Sequence, residues 1–468
     1  MNQDASAGIR FERDSMGEIG IPEWAYWGAQ TQRAVENFTV SGLVLPGELI
    51  CALGLIKHHA AIVNRDLGLL APATAAAIAQ AAEEVASGGW REHFPVDVFQ
   101  TGSGTSSNMN ANEVIANRAN ELLGAERGTR SPVHPNDHVN RGQSSNDVFP
   151  SAMHIAARRR AAALVESLAE LESALAKKSE EFATIVKLGR THLQDAVPMT
   201  LGQEFSGFAA QVGQSRRHLE ASFGGIEALA LGGTAIGTGI NAHPRFAEQV
   251  IARIATATGI PFRPAENRFA ALAGREAMVA LMGGLNVVAV AMMKIANDLR
   301  LLASGPRAGL GEIVLPALQP GSSIMPGKVN PVIPEMAIQV AAQVMGQHVA
   351  VTIAGQTGPL ELNMMMPLMA YNALQAIDLL DAAAALLAEK CVAGIAADEK
   401  RCAALVEQSL ALATPLALRV GYDRAALIAE RAWREGRTIR EIAIEEGLLT
   451  AAEAAEVLDA RRLARPED

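Results

Sequence analysis

One segment of the sequence combines residue types that can hold a small anion and take a proton from it. It reads Gly321-Ser-Ser-Ile-Met-Pro-Gly-Lys-Val-Asn-Pro331. Its glycines and prolines favour an irregular loop, while its serines, Lys328 and Asn330 can direct donors and one positive charge onto an anion. The alternative is an ordinary turn with capping residues before a helix at Pro334. Capping explains one serine but neither the lysine nor the asparagine, so the sequence predicts a functional loop.

A second polar segment, Thr101-Gly-Ser-Gly-Thr-Ser-Ser-Asn108, offers neutral donors to a carboxylate. Its Gly-Ser-Gly run resembles the start of a dinucleotide fingerprint, but no hydrophobic strand precedes it and the third glycine is missing. We therefore predict a carboxylate site here and not a nucleotide site. The alternative is that these residues only cap a helix predicted over 112–123.

A third group, Ser144, Ser145 and Asn146, directly precedes another predicted helix, for which Asn146 or Asp147 is the expected cap. Capping alone does not require two serines and an asparagine together. These three residues are therefore predicted to bind substrate as well.

Two histidines upstream, His134 and His138, flank Asp137 and raise the alternative of a metal site. The intervening proline and asparagine do not give helical ligand spacing, and no third ligand is evident. We expect no metal and no other cofactor.

One further histidine, His192, follows Thr191 in a predicted Gly-Arg-Thr turn ahead of Pro198. A single histidine is more often a structural hydrogen-bonding residue than a catalyst. The other polar segments favour the catalytic interpretation in this case.

The composition excludes several classes of protein. Lys plus Arg is 40 and Asp plus Glu is 50, so the formal charge is −10, and the absence of a basic run argues against nucleic acid as a partner. The three cysteines show no CxxC spacing, which supports neither a disulfide framework nor structural zinc. Hydrophobic residues make up 49% and aromatic residues only 4%, a mixture that favours packed helices over sheets.

Long helices are the elements expected to position these segments. Apolar residues from Met278 to Leu302 recur every three or four positions, and further helices are predicted over 200–225, 334–353 and 362–388. The uncharged stretch 277–293 is short for a membrane span and is interpreted as a buried helix, so no membrane partner is expected. The first residues carry no signal-peptide pattern, and a cytoplasmic location is expected.

Shorter helices and loops on either side of the long helices predict three domains. They are an N-terminal helical and loop domain (1–141), a central helical bundle (142–399) and a small C-terminal helical domain (400–468).

Taken together, these segments resemble the fumarase/aspartase superfamily and, within it, the iron–sulfur-independent class II fumarases. The resemblance runs from Asp14-Ser-Met-Gly17 to Arg465-Pro466, and the Gly321–Pro331 loop is highly specific for the superfamily. Thr191-His192 looks like a fumarase, because aspartases typically have Thr-Gln there. Asn136-Asp-His-Val-Asn140 looks more like an aspartase.

The resemblance implies a mainly α, three-domain fold whose central bundles join in a homotetramer, with each active site shared by three chains. The substrate would be a small dicarboxylate, and the reaction the reversible hydration of fumarate to L-malate. Aspartate ammonia-lyase is the alternative activity, and a non-catalytic structural relative is the remote one.

The resemblance also assigns roles to residues. Ser322 would be the base, and His192, oriented by Glu335, would protonate or position the departing hydroxyl. A second, non-catalytic anion site is expected at His134, Pro135, Asn136 and Asp137, although fumarases usually place an arginine where Ser131 stands here. The implied substrate-binding residues are Ser103, Gly104, Thr105, Ser144, Ser145, Asn146, Thr191, Ser323, Lys328, Val329 and Asn330.

Overall fold

The computed structural model describes residues 8–464. The two ends of the predicted first and third domains, residues 1–7 and 465–468, lie outside the described residues, and the second of these ends includes Arg465-Pro466. Helices dominate, as the composition predicts, and strands form only two-stranded sheets within this range. The helices are α1 (Ala29–Asn37), α2 (Gly47–Asp66), α3 (Pro72–Ala86), α4 (Thr105–Leu122), α5 (Ser145–Glu181), α6 (Leu201–Ala221), α7 (Phe223–Ile226), α8 (Phe246–Thr258), α9 (Arg268–Ala273), α10 (Glu276–Leu302), α11 (Val332–Gly355), α12 (Met366–Leu386), α13 (Glu399–Gln408), α14 (Ala413–Val420), α15 (Tyr422–Glu435), α16 (Ile439–Glu445), α17 (Ala451–Val457) and α18 (Ala460–Leu463). The strands are β1 (Ile9–Asp14), β2 (Gly17–Pro22), β3 (Val186–Thr191), β4 (Gln194–Thr200), β5 (Ala228–Leu229), β6 (Arg263–Pro264), β7 (Ile313–Val314) and β8 (Ala396–Ala397).

The long predicted helices are confirmed to within a few residues at each end. The regular apolar positions of α10 are buried, from Met278 to Leu302, because one stripe of a 3.6-residue helix faces the core along its whole length. The segments predicted at 200–225, 334–353 and 362–388 are α6, α11 and α12.

Two antiparallel hairpins, β1–β2 and β3–β4, were not predicted. The turn predicted at Gly189-Arg-Thr191 is wrong by a few positions, since these residues lie in β3 and the chain reverses between Thr191 and Gln194. The register of this hairpin shifts at Gly189, where an added Cβ would lie 2.7 Å from the carbonyl oxygen of Val197.

Tertiary contacts divide the chain into two compact units. The first consists of the chain up to Leu164 together with His218–Val287 and Gln343–Leu380. The second consists of Val165–Arg217, Val288–Ala342 and the chain from Asp381 onwards. The domain boundaries near 141 and 399 stay a prediction.

The second unit contains a separate apolar core that holds the β3–β4 hairpin. Leu188 of β3 is 2% exposed and packs with apolar side chains of the C-terminal helices, among them Leu416 and Ile428. The hairpin is therefore fixed by burial of its β3 side chain as well as by its own ladder.

Two helices, α10 and α11, are long and apolar enough to cross a membrane by length and composition alone. Half of the most apolar window of α10 is buried, but only 28% of that of α11. Large apolar side chains consequently remain exposed on both helices, including Val290 on α10 and Ile353 on α11.

All three cysteines, Cys51, Cys391 and Cys402, are free and buried. Burial raises the pKa of the Cys391 and Cys402 thiols to about 12, and it also raises that of Cys51. None of these thiols forms an appreciable amount of thiolate at neutral pH.

Candidate active site

The polar segment 101–108 leads into α4 and supplies its first turn from Thr105 onwards. Gly104 precedes that helix with a φ of +74°, and a Cβ there would lie 2.2 Å from the ring of Phe149. Gly104 has no side chain with which to cap α4, and the side-chain oxygen of Gln100 instead accepts from the backbone N–H and the hydroxyl of Ser107 in the first turn. The capping alternative therefore does not account for Ser103 and Thr105, whose hydroxyls lie 3.0 Å apart.

The residues Ser144 to Asn146 form the start of α5. The Ser144 hydroxyl accepts from the backbone N–H of Asn146, and the Asp147 carboxylate accepts from the backbone N–H of Ser144. The cap is thus Ser144, so the prediction of Asn146 or Asp147 as cap is wrong. The Ser145 hydroxyl lies 2.8 Å from the Thr105 hydroxyl, 40 residues earlier in the chain.

These contacts bring two of the predicted polar segments together within the first compact unit. Ser103, Thr105, Ser145 and Asn146 are all partly exposed, so their hydroxyl and amide groups can reach a ligand. We call this group, with Ser144, the hydroxyl cluster.

A glycine-rich segment that sequence reasoning missed packs against the hydroxyl cluster. Asn146 donates its side-chain N–H to the carbonyl of Ala235, and the buried Asp147 carboxylate accepts from the backbone N–H groups of Gly232 and Thr234. Thr234 has a φ of +51°, an uncommon conformation for a threonine. The signal that could have found this segment is its run of closely spaced glycines, Gly232-Gly-Thr-Ala-Ile-Gly-Thr-Gly239.

The predicted second anion site forms a single π-helical turn, Pro135–Val139, in the same unit. His134 precedes it, and its Nδ1 accepts from the backbone N–H groups of Asn136 and Asp137. This pattern assigns the ring proton to Nε2, and burial lowers the pKa of His134. Asn136 and Asp137 are exposed while Pro135 is buried.

His192 lies at the tip of the β3–β4 hairpin in the second unit. The two central residues of the turn, His192 and Leu193, have φ values of +55° and +61°. Such a turn favours Asn-Gly, and larger side chains there carry backbone strain of the kind found at functional sites. Thr191 and His192 are both exposed, so their side chains are available to a ligand or another chain.

A network of buried ion pairs stabilises strand β3 of this hairpin. The Glu312 carboxylate is fully buried and lies 3.1 Å from Lys187 Nζ and 3.0 Å from a guanidinium nitrogen of Arg190. Lys187, itself 2% exposed, also pairs with Glu204 at 2.7 Å. These ion pairs fix both cations of β3, and Arg190 directly precedes Thr191 in the strand.

The Gly321–Pro331 segment is an exposed loop whose base is closed by two hydrogen bonds. The Gly321 N–H donates to the Lys328 carbonyl at 2.7 Å, and Asn330 donates its side-chain N–H to the Gly321 carbonyl, also at 2.7 Å. An open cavity of about 490 Å³ lies against the loop and is lined by Ser322 and Lys328 among others. These two hydrogen bonds fix the shape of the base of the loop.

The Ser322 hydroxyl oxygen accepts from two backbone N–H groups of this loop, those of Ile324 at 3.2 Å and Met325 at 2.9 Å. Such turns are common, but two amide donors would also stabilise an alkoxide on this oxygen. Ser322 is partly buried, whereas Ser323 is exposed.

Lys328 and Val329, which precede Asn330 in the loop, are exposed. Within residues 8–464 the Lys328 ammonium makes no hydrogen bond or ion pair, so its charge is available to an anion. Glu335 lies in the first turn of α11 and is partly exposed, and over the same range no hydrogen bond joins it to His192. The proposed orientation of His192 by Glu335 therefore does not occur within the described chain.

Metal-ligating side chains do not cluster in the described part of the chain. Among residues 8–464, no group of three or more His, Cys, Asp or Glu side chains is placed to hold an ion.

Comparison with known proteins gives two family matches. A family model described as "Lyase" matches residues 17–346, and one described as "Fumarase C C-terminus" matches residues 412–465. Together they account for most of the chain.

Similar proteins and structures agree with these matches. "Fumarate hydratase class II 2" of Bradyrhizobium diazoefficiens is 52% identical over 99% of this chain and 98% of its own. "Fumarate hydratase, mitochondrial" of Homo sapiens is 53% identical over 95% of this chain and 87% of its own. The crystal structure of recombinant class II fumarase from Schistosoma mansoni matches with a TM-score of 0.95 and 41% identity, covering 98% of this chain and all of the other.

Proposed function

The chain belongs to the class II fumarate hydratases of the lyase family, and from that membership we propose that it interconverts fumarate and L-malate with Ser322 as the base. The observation that carries the role of Ser322 is the pair of backbone N–H groups directed at its hydroxyl oxygen. An alcohol is a weak base, and these donors lower the free energy of its alkoxide.

In the dehydration direction, the Ser322 alkoxide removes a proton from the carbon next to a carboxylate of L-malate. The electron pair moves into that carboxylate and forms an aci-carboxylate with two negative charges. Lys328 supplies an exposed cation to hold this charge, and the hydroxyl cluster supplies neutral donors. The intermediate then expels the hydroxyl on the neighbouring carbon, which leaves as water after receiving a proton.

His192 is the proposed source or organiser of that proton, directly or through a water molecule. Its exposed position on a strained turn favours a role outside its own hairpin. Within the described chain, no hydrogen bond connects His192 to Ser322 or Glu335. This separation agrees with a site in which these residues come from different subunits.

We also propose a homotetramer with active sites shared by three chains. The exposed apolar side chains of α10 and α11, such as Val290 and Ile353, support this arrangement because packing against another copy would remove them from water. Burial between subunits would also account for the length and the apolar composition of α10 and α11.

The experiment offers purified protein L-malate and L-aspartate separately and follows the ultraviolet absorbance of fumarate. We expect far faster release from L-malate, because His192 suits water as the leaving group better than ammonia. A rate on L-aspartate equal to or greater than that on L-malate would contradict the proposal.

A further inference from the structure

One lysine that the proposed mechanism does not use is completely buried. Lys57 lies on α2, with 0% of its surface exposed. Lysine is almost never fully buried unless its charge is paired. The groups that contact Lys57 must therefore account for a positive charge in the protein interior.

The Lys57 ammonium donates to the side-chain oxygen of Asn140 at 2.9 Å. The same oxygen accepts from the side-chain amides of Asn108 at 3.2 Å and Asn112 at 3.1 Å, both on α4. One oxygen atom thus connects α2, α4 and the loop that leads into α5. Within residues 8–464, the side-chain oxygens of Asn108 and Asn112 are buried and accept no hydrogen bond.

The counter-charge of Lys57 is Asp147, but no hydrogen bond joins the two within the described residues. The Asp147 oxygens are instead occupied by the backbone N–H groups of Ser144, Gly232 and Thr234. Burial lowers the pKa of Lys57 to about 7 and raises that of Asp147, and the attraction between the two groups opposes both shifts. The positive charge of Lys57 is therefore only partly compensated inside the protein.

The same elements carry the hydroxyl cluster on their accessible side. Asn108 lies one helical turn after Thr105 on α4, and the loop from Asn140 leads directly into Ser144 and Ser145. An anion bound by the cluster would complete the charge balance that the protein leaves open. A buried cation that is only partly compensated and lies beneath neutral donors can raise the affinity of an anion site without touching the anion.

We propose that Lys57 is a positioning residue that holds Asn140 and raises the affinity of the hydroxyl cluster for a substrate carboxylate. The inference rests on the proposed function for the identity of the anion. Because the carboxylate is present in both the bound substrate and the transition state, Lys57 acts on binding more than on turnover.

The first test replaces the cation by an uncharged side chain of similar length, Lys57→Met. We expect KM for L-malate to rise about tenfold with kcat changed by less than about threefold, the signature of lost uniform binding. The matched control is Lys178→Met, which removes another buried lysine, one that is 8% exposed and donates to Glu181 and to the Ile395 carbonyl. This control should lower stability and leave KM unchanged.

The second test keeps the three hydrogen bonds accepted by the Asn140 side-chain oxygen and adds a negative charge there. It gives up one bond, which the Asn140 side-chain N–H donates to the Gln143 carbonyl at 3.2 Å. In Asn140→Asp, a carboxylate oxygen can still accept from Lys57, Asn108 and Asn112, but its negative charge cancels that of the ammonium. We expect KM to rise here as well. An unchanged KM in a folded Asn140→Asp protein would overturn the proposal, and this variant carries the test if Lys57→Met does not fold.

The third test uses pH. The charged group that acts on Lys57 is Asp147 on α5, and the side chains of α4 that face Lys57 are asparagines. Burial lowers the pKa of His59 on α2 to about 4, so His59 stays neutral over the pH range of the test. Lys57 is protonated below its pKa and loses its charge above it, so the ratio of KM in Lys57→Met to KM in the parent protein should be largest at pH 6 and approach one at pH 9. A ratio independent of pH would overturn the proposal.

A binding measurement separates this inference from the proposed function. The saturated dicarboxylate succinate cannot be hydrated, and its dissociation constant by calorimetry should rise in Lys57→Met as KM does. A parent protein that binds succinate but does not hydrate fumarate would refute the proposed function alone. Equal succinate affinity in the parent and in folded Lys57→Met would refute the inference alone.

Discussion

At the scale of single residues, the chemistry depends on which serine of the 321–331 loop can hold a negative charge. Ser322 receives two backbone N–H groups and is partly buried, whereas its neighbour Ser323 is exposed. Two adjacent serines of the same size therefore differ in the donors available to an alkoxide. They form a natural pair of test and control.

We predict that Ser322→Ala lowers kcat by about 10²- to 10⁴-fold, because it removes the base while the loop remains closed at Gly321 and Asn330. Folding should be unaffected, as judged by circular dichroism and the thermal midpoint. Ser323→Ala is the control and should retain most of the turnover. If Ser323→Ala is the damaging change, the roles of the two serines are reversed.

The sequence identified polar segments that could form a site, but it did not show which residues contact one another in the fold. The polar segments around Thr105 and Ser145 were recognisable, and the structure places the two hydroxyls in contact. Lys57 could not be selected, because it lies in an otherwise unremarkable apolar helix and its partner Asn140 is 83 residues away. Contacts between distant segments are decided by packing and leave no local pattern.

At the scale of elements, long helices were predictable and short strands were not. The period of α10 is repeated over 27 residues, so a few exceptions do not obscure it. The β3 strand has six residues, among them a glycine, a lysine and an arginine, and its pattern does not alternate. Its stability comes instead from Leu188 in the apolar core and from ion pairs that only the fold brings together.

We predict that Glu312→Gln destabilises the protein by about 3 kcal/mol, because removing one partner of a buried network leaves Lys187 and Arg190 with less compensation. Chemical denaturation measures the loss. Since the hairpin carries His192, kcat should fall as well. The control is Glu435→Gln in the exposed network with Arg431 and Arg437, where solvent screens the charges and the change should be much smaller.

At the scale of the whole molecule, the proposed sites are shared between subunits. The described chain leaves His192 and Ser322 exposed or partly exposed and unconnected, and α11 buries only 28% of its most apolar window. Neither feature was predictable from composition, because the sequence of an interface helix resembles that of a buried helix.

We predict that two inactive variants, His192→Asn and Ser322→Ala, restore activity when they are dissociated, mixed in equal amounts and reassembled. If the two residues of one site come from different chains, each is intact with probability one half, so about a quarter of the sites recover. Recovery near zero, with mixed oligomers confirmed by mass spectrometry, would refute the shared site. Each variant reassembled alone gives the baseline.

The burial of all three cysteines makes the unaltered chain a suitable background for fluorescent labelling. A maleimide dye reacts with thiolates, and the native thiols are both inaccessible and protonated at neutral pH. Ile324 at the tip of the Ser322 loop is 84% exposed, so Ile324→Cys would attach a dye at that one place. The fluorescence emission of the labelled protein would report in real time whether the environment of the loop changes when a dicarboxylate binds.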